Sequence, residues 1–496
     1  ALMIVVASMP LSRFGLSFGQ FSLLGIWIIE GRYKEKVRAL FTNRAALVLI
    51  SFYFLHVIGL LYSQDFNWAI KDLRVKLPLL FLPVVFATSR PLSKERTNIL
   101  LLLYIASVLV ASLISLWIYL FGDVTDFRQL SPFISHIRLS LNVCLALFFM
   151  ANFAFVIYRH KPLIVVSFTI ILAWLFLFLL MIESVTGIVI VGVVFYSLVI
   201  SGVFKFRKTI LKASAITTLI VVPLILGMYF SNTVNGYLRP VNNDLDNLEQ
   251  YTAMGNTYRH DTIHQPVESG RYVGLYVCEP ELKSSWNKLS VYAYEGHDER
   301  GQDLKYTLIR YLNSKGLRKD SNGIAQLNKH DIRNIEKGIA NVHYTKPFSL
   351  NSRLYKLLWE YQINRLHGNP GGHTVSQRLE FWRVSMAIIE DHFFIGVGTG
   401  DIKQAYADKY ESLNTQLEMR FRHRAHNQFL AIFVTFGLFG LVWFLFSLVY
   451  PGLEMKKLYR YRYFVFWVTL MLSMFVEDTL ETQMGATLFA FFNAFL

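Results

Sequence analysis

The chain is poor in charge and almost devoid of cysteine. Only 17% of its 496 residues are Asp, Glu, Lys or Arg, against 54% hydrophobic. A soluble chain of this length would need more charge to cover its surface, so the composition is that of an integral membrane protein. Two cysteines exclude a disulfide-stapled scaffold. Cys144 lies in an apolar run and Cys278 in a polar one, so no bridge between them is expected. Internal repeats and low-complexity tracts are also absent. The apolar runs at Ala1–Met9 and before Leu496 read as truncated spans, and the first has no preceding basic region that would make it a signal peptide.

What is present is a series of apolar runs. A span needs ~17–25 mainly apolar residues, and candidates fall at 1–9, 14–30, 45–62, 75–89, 98–121, 139–158, 163–182, 186–204, 213–230, 427–450, 463–476 and 484–496. Alternate loops differ in charge. One set holds Arg32, Lys34, Lys36, Arg38 and Arg44, then Arg90, Lys94 and Arg96, then Arg159 and Lys161, then Lys205, Arg207, Lys208 and Lys212, then Lys456, Lys457, Arg460 and Arg462. The other set holds fewer: Arg13, Lys71, Arg74, Lys76, Arg128 and Arg138. The positive-inside rule makes the first set cytoplasmic, and it also accounts for the net charge of +15 without nucleic acid as a partner.

The long polar segment then lies on the outer face. Within it, GRYVGLYV reads as a strand, followed by a helix begun at Pro280. Two short helices are expected around the Lys-Asp-Ser-Asn-Gly turn at 319–323, and an amphipathic helix with Leu354, Leu357, Leu358 and Tyr361 on one side. GNPGGHTVS reads as a Gly/Pro linker back to the membrane. The predicted fold class is an all-α polytopic membrane protein of about twelve transmembrane helices, with a small mixed α/β domain inserted on the outer side. The predicted boundaries are 1–234 for an N-terminal bundle of about nine helices, 235–375 for the cap, 376–426 for an interfacial catalytic segment, and 427–496 for the last spans.

Cationic side chains are costly beside hydrocarbon, so the concentration of Arg378, Arg383, Arg420, Arg422, Arg424, His423 and His426 at the outer rim points to a bound anion or a reaction. Arg378 and Trp382 are i and i+4, a spacing at which they can stack. Leu379, Trp382, Met386 and Ile389 form a stripe suited to a helix on the membrane surface, where Arg383 and Arg378 could equally be interface anchors. The glycines at 396, 398 and 400 lack a preceding strand and serve a tight turn better than a nucleotide loop. His426 and Asn427 open a span. The arginines around His426 are expected to lower its pKa and leave a neutral imidazole able to act as a base. No metal-ligand set accompanies His423 and His426 along the chain, and no metal is expected. His136 and Arg138 sit at the outer end of another span, as interface residues or as part of the same site. Glu183 reads as a turn residue, and Glu477, Asp478 and Glu481 as counter-charges to the arginines.

In order and in side of the membrane, RLEFW (Arg378, Trp382), GVGTGD, HNQFL (His426, Asn427) and EDTLETQMG resemble the O-antigen ligase and polymerase superfamily of envelope glycosyltransferases, over roughly 45–496. The cap looks like the version in Bacteroidetes-type relatives. The resemblance implies a bacterial inner-membrane enzyme with its site on the periplasmic face. Its donor would be a glycan on undecaprenyl pyrophosphate, its acceptor lipid A-core, and it would use no nucleotide, metal or other cofactor. It implies His426 as the base and Arg378 on the lipid pyrophosphate. Arg383, Arg138, His136 and Arg424 are further candidates for the pyrophosphate, with Trp382, Asn427 and Glu477 in support. A family Ser-Arg-Thr-Gly is here Ser184-Val185-Thr186-Gly187, and Arg138 is the candidate to replace the lost guanidinium. A polymerase shares every one of these features. A lipid-linked glycan flippase is the rival from a different class, but it would call for repeat symmetry and mid-membrane charges.

Overall fold

The computed structural model describes residues 1–122, 127–157, 162–203, 209–239, 245–345, 350–367 and 374–496. The Gly/Pro stretch 368–373, Arg159 with Lys161, and Lys205 with Arg207 and Lys208 lie outside the described residues. The chain forms two compact units, Ala1–Leu198 with Arg378–Leu496, and Val199–Gln377.

Each predicted apolar run is a helix, but about twelve spans are not found. Seven helices among the described residues are long and apolar enough to cross a membrane, and eight if Arg13–Ile29 and Tyr33–Thr42, bent by 114°, count as one. The shortfall has physical causes. Phe66–Thr88 carries Lys71, Asp72, Arg74 and Lys76 in its first half. Tyr461–Val476 has 16 residues, about 24 Å at ~1.5 Å per residue against a ~30 Å hydrocarbon core. Gln483–Phe495 has 13 residues and Leu2–Ser8 has 7. The chain is an integral membrane protein by its long apolar helices. On Leu163–Met181 and Val185–Val203 most of the apolar surface faces outward, as a lipid solvent allows.

The first unit is organised around Gln483–Phe495, buried continuously from Met484 to Asn493 and packed on Phe66–Thr88. A helix apolar on every side belongs in a core. Here Phe492 meets Tyr104 at 5.3 Å and Phe466 at 5.5 Å between ring centroids. Lys76 corrects the sequence reading. It is not a loop cation but a helix residue, 1% exposed.

The span Gln428–Glu454 is broken at Gly437, whose φ of 63° interrupts the helix. The glycine turn fills the break. Val397 N donates to Val434 O and Gly398 N to Thr435 O, both at 2.9 Å, and Leu438 N donates to Phe393 O at 2.8 Å. Backbone groups freed inside a membrane must find such partners. A Cβ on Gly437 would lie 2.2 Å from the Phe394 carbonyl carbon. Gly437→Ala is therefore expected to destabilise the protein by about 3 kcal/mol or more, read as a lower yield of monodisperse protein and a lower unfolding temperature in detergent.

The second unit contains the helix Thr209–Leu238 and two short antiparallel pairs, Arg259–Asp261 with Gly274–Val277 and Val267–Glu268 with Arg271–Tyr272. The pattern read as one strand is thus split at Val273. Pro280 sits in the first turn of Glu279–Trp286. Leu304–Lys315 ends on Gly316 at φ 76°, Asp320 caps Ser321–Ala325, and Asn328 with Asp331 forms a capping box on Lys329–Glu336. Trp286, Leu308, Leu312 and Ile335 form the core. The fork of Arg310 on buried Glu268, at 2.9 Å from both Nε and Nη2, is covered by Trp359. Leu350–His367 forms as expected, although Tyr361 on its predicted apolar side is 47% exposed.

Candidate functional site

The site grows from the start of Gln428–Glu454. Asn427 caps that helix, its Oδ1 accepting from Phe429 N at 3.0 Å and Leu430 N at 3.1 Å. Its Nδ2 donates to Phe475 O at 3.0 Å, which pins the helix start to the end of Tyr461–Val476. The residue before the cap, His426, has a left-handed φ of 45°. Trp382, on the helix Thr374–Asp391, donates from Nε1 to Ala425 O at 3.0 Å and fixes the loop from the other side. Phe381, on the same helix, holds its ring 5.7 Å from that of His426.

The acidic turn after Tyr461–Val476 completes the arrangement. Arg378 Nη2 is 3.2 Å from Glu477 Oε1. His426 Nδ1 lies 3.8 Å from Glu477 Oε2 and 3.6 Å from Asp478 Oδ1. These are ion-pair distances, too long for hydrogen bonds, and Nδ1 is buried without a hydrogen-bond partner among the described residues. The side chain is 35% exposed, and Nε2 makes no hydrogen bond among the described residues.

The expected electrostatics are reversed. The carboxylates of Asp478 and Glu477, against the opposing effect of burial, raise the pKa of His426 to about 9. The sequence placed only arginines beside His426, whereas the fold brings two carboxylates from some fifty residues away. The imidazole is therefore cationic at neutral pH, not neutral. His423 goes the other way, lowered by burial and by the charge of His426.

The other predicted residues separate. Arg138, half-buried at the start of His136–Ile157, lines a cavity with Glu477, Asn142 and Thr479, and its guanidinium makes no hydrogen bond or ion pair among the described residues. His136 begins the same helix. Gly187, the last residue of Ser184-Val185-Thr186-Gly187, packs on the helix that His136 and Arg138 open: an added Cβ on Gly187 would lie 3.3 Å from Ser140 Cβ, and Cys144 Sγ donates to Gly187 O at 3.4 Å. Glu183 precedes them at φ 49°, in a turn. Arg383 is not brought to His426. It forks onto Glu380 at 2.9 and 2.7 Å and is 52% exposed. Arg378 and Trp382 share a helix but do not stack, one being held by Glu477 and the other by Ala425. The buried stripe of that helix is Phe381, Val384, Ile388 and Ile389, with Leu379 and Met386 exposed.

Arg424 belongs to a second layer. Its Nη1 is 3.0 Å from Glu481 Oε2, and Glu481 also receives Lys76 Nζ at 2.9 Å, while Lys76 binds both oxygens of Asp72 at 2.6 and 2.7 Å. Gln428 Oε1 accepts from Leu480 N at 2.7 Å. This buried set anchors the acidic turn from beneath. Asp478 and the Asp72–Lys76 pair are the parts that sequence reasoning left out of the site. A carboxylate beside an apolar helix end was the available signal for Asp478, and a Lys at i+4 from an Asp at the start of an apolar run was the signal for the pair. Arg420 and Arg422 stay peripheral, paired with Glu418 and with Leu417 O.

His426, Glu477 and Asp478 present donor atoms within 4.8 Å of one another, a trio able to hold a cation, which spacing along the chain did not foresee. Arg378 on Glu477 already supplies positive charge there. Chemically, the trio resembles a base held by acids: carboxylates at Nδ1 fix the proton on that nitrogen and leave Nε2 outward.

No curated protein matches this chain. The sequence resemblance does find support in one stretch, which contains Arg378, Trp382, the glycine turn, His426 and Asn427: residues 346–445 match the family model described as O-Antigen ligase.

Proposed function

We propose that the chain is an O-antigen ligase that transfers a glycan from undecaprenyl pyrophosphate to lipid A-core on the periplasmic face of the bacterial inner membrane. The observation that carries this reading is His426, with Nδ1 against two carboxylates, Nε2 unpartnered, and Arg378 and Arg138 beside the same carboxylates. The acceptor hydroxyl oxygen attacks the anomeric carbon from the side opposite the pyrophosphate. The carbon–oxygen bond to the pyrophosphate breaks, its electron pair stays on the leaving oxygen, and configuration inverts. The hydroxyl proton passes to Nε2 of His426, and Asp478 and Glu477 stabilise the resulting imidazolium. Arg378 and Arg138 neutralise the departing pyrophosphate, a role in which a guanidinium fork outperforms an ammonium. These residues supply the positive charge without a metal or other cofactor.

The raised pKa makes this testable by pH. Only the neutral imidazole accepts a proton, and at pH 7 a pKa of about 9 leaves roughly one molecule in a hundred in that form. Transfer measured as kcat/KM should therefore rise about tenfold per pH unit up to about 9 and then level off. Glu477→Gln should move the rise to lower pH. The protonated resting state favours one second reading, in which the imidazolium donates to the pyrophosphate; the rate would then fall above pH 9 instead of rising towards it.

For Arg378→Lys a loss of about tenfold or more in turnover is expected, since one fork becomes a point charge. Unchanged turnover would make Arg378 an interface anchor. Ligase and polymerase are separated by incubating the protein with lipid-linked glycan and rough lipopolysaccharide. Capped lipopolysaccharide supports the ligase, and longer lipid-linked chains show a polymerase.

A further inference from the structure

The second unit holds a cavity of about 290 Å³, lined from the strand Gly274–Val277 and the helices Leu304–Lys315 and Leu350–His367. Its floor is apolar, with Val277 and Ile309 buried, and Trp359 and Tyr306 supply aromatic sides. The Arg310 guanidinium, 3.5 Å from the ring centre of Trp359, holds that indole in place. The polar groups of the lining are of two kinds. Its cations are neutralised: Arg310 forks onto Glu268, and Arg259 lies 3.1 Å from Glu279. Its uncharged groups are free. Among the described residues, the half-buried amide of Gln265, the indole Nε1 of Trp359 and the hydroxyl of Tyr306 make no hydrogen bond. Tyr294 belongs to the same core as Val277 and Ile309 and interacts electrostatically with Arg259 and Tyr306. It is 2% exposed, and its hydroxyl has no hydrogen-bond partner among the described residues. Buried hydroxyls are ordinarily paired, so one left open beside a cavity with three more unpaired groups calls for a ligand that carries hydroxyls of its own.

We infer that this cavity binds a pyranose ring of an uncharged saccharide. A sugar ring presents C–H groups on its faces and hydroxyls around its edge. The faces of Trp359 and Tyr306 carry the partial negative charge that attracts such C–H groups. The unpaired amide, indole and hydroxyl supply donors and an acceptor for the edge. An apolar floor with a few convergent polar groups is the usual make-up of a small-ligand cleft, and the volume is at the low end of the ~300–1,000 Å³ such clefts span. The neutralised arginines argue against an anion, and a wholly apolar ligand would leave the uncharged groups unpaired. The source of the sugar rests on the glycan-transfer reading, which offers two: the donor glycan or the core oligosaccharide of the acceptor. The cavity itself shares no residue with His426 or its partners.

The test uses the full chain in a detergent without a sugar headgroup, titrated calorimetrically with four probes. Two are saccharides: the glycan freed from its lipid carrier by mild acid, and core oligosaccharide from rough lipopolysaccharide. The others are sorbitol, which has hydroxyls but no ring, and inorganic pyrophosphate. Saturable binding of one of the saccharides is expected, and which of them binds identifies the source. Tyr306→Ala should weaken it about tenfold and Gln265→Ala about threefold. Neither side chain makes a hydrogen bond among the described residues and Tyr306 is 52% exposed, so both variants should keep the wild-type unfolding temperature. Trp359→Phe, which keeps a ring over Arg310, should weaken binding less than Tyr306→Ala. Tyr251→Ala, which removes an exposed tyrosine of the same unit outside the cavity, should leave it unchanged. Binding of neither saccharide, equal binding of sorbitol, displacement of the saccharide by pyrophosphate, or undiminished affinity in folded Tyr306→Ala and Gln265→Ala would overturn the inference. Because binding is read without turnover, a chain that binds glycan here but transfers none would count against the proposed reaction alone.

Discussion

His426→Ala is expected to leave a folded protein whose glycan transfer is reduced by about 10²–10⁴-fold, the usual contribution of a positioned general base. Folding should survive, because the His426 side chain makes no hydrogen bond among the described residues and is 35% exposed. One structural cost must be separated from the chemical one. His426 sits at φ 45°, a conformation in which alanine is strained and asparagine is comparatively at ease. His426→Asn is therefore the matched control: it keeps the backbone and removes the base. Both variants should elute as wild type in size-exclusion chromatography and lose transfer to a similar extent. If asparagine restored most of the activity, the loss in alanine would be a backbone effect and His426 would have no role in proton transfer.

The second large effect lies beneath the site. Lys76→Met should cost about 3–5 kcal/mol, the range for breaking one partner out of a buried ion pair. Lys76 is 1% exposed and bridges Asp72 and Glu481, so its loss leaves Asp72 without a cation and Glu481 with only Arg424. The effect is on stability, and unfolding in detergent measures it. A double variant shows whether charge is the cause. Lys76→Met with Asp72→Leu removes one charge of each sign and still leaves Glu481 paired to Arg424, so it should recover a good part of the loss. A double variant as unstable as the sum of its singles would mean that the lysine stem, and not its ammonium, supports the packing. The same turn carries Glu477 and Asp478, so any surviving Lys76→Met protein should also show a displaced pH–rate rise.

Much of this arrangement was legible in the residues. Every apolar run is a helix because hydropathy over such lengths leaves few alternatives, and RLEFW, the glycine turn and HNQFL were recognisable from local chemistry. What was not legible depends on contacts between distant stretches. The pKa of His426 was misjudged because its sequence neighbours are arginines, while its spatial neighbours are Asp478 and Glu477. Arg378 and Trp382 have the spacing to stack, but each finds a better partner across the fold, a carboxylate for one and a backbone carbonyl for the other. The span expected at 75–89 is not among the helices long and apolar enough to cross a membrane, because Lys71, Arg74 and Lys76, read as loop cations, fall together with Asp72 in the first half of Phe66–Thr88. In the structure they are helical, and two of them, Asp72 and Lys76, neutralise each other in the interior. The glycine turn was read as a bend; its larger task, supplying donors to the carbonyls of a broken span, requires knowing that the helix breaks at Gly437.

The proposed transfer depends on His426. The direct measurement reconstitutes the full chain in vesicles with labelled glycan on undecaprenyl pyrophosphate and rough lipopolysaccharide, and follows label into lipopolysaccharide across pH 6 to 10. The predicted result is labelled lipopolysaccharide whose rate of formation climbs to a plateau near pH 9 for wild type and is nearly absent at every pH in His426→Asn. Label that never leaves the lipid carrier in wild type, or that moves equally well in His426→Asn, would contradict it.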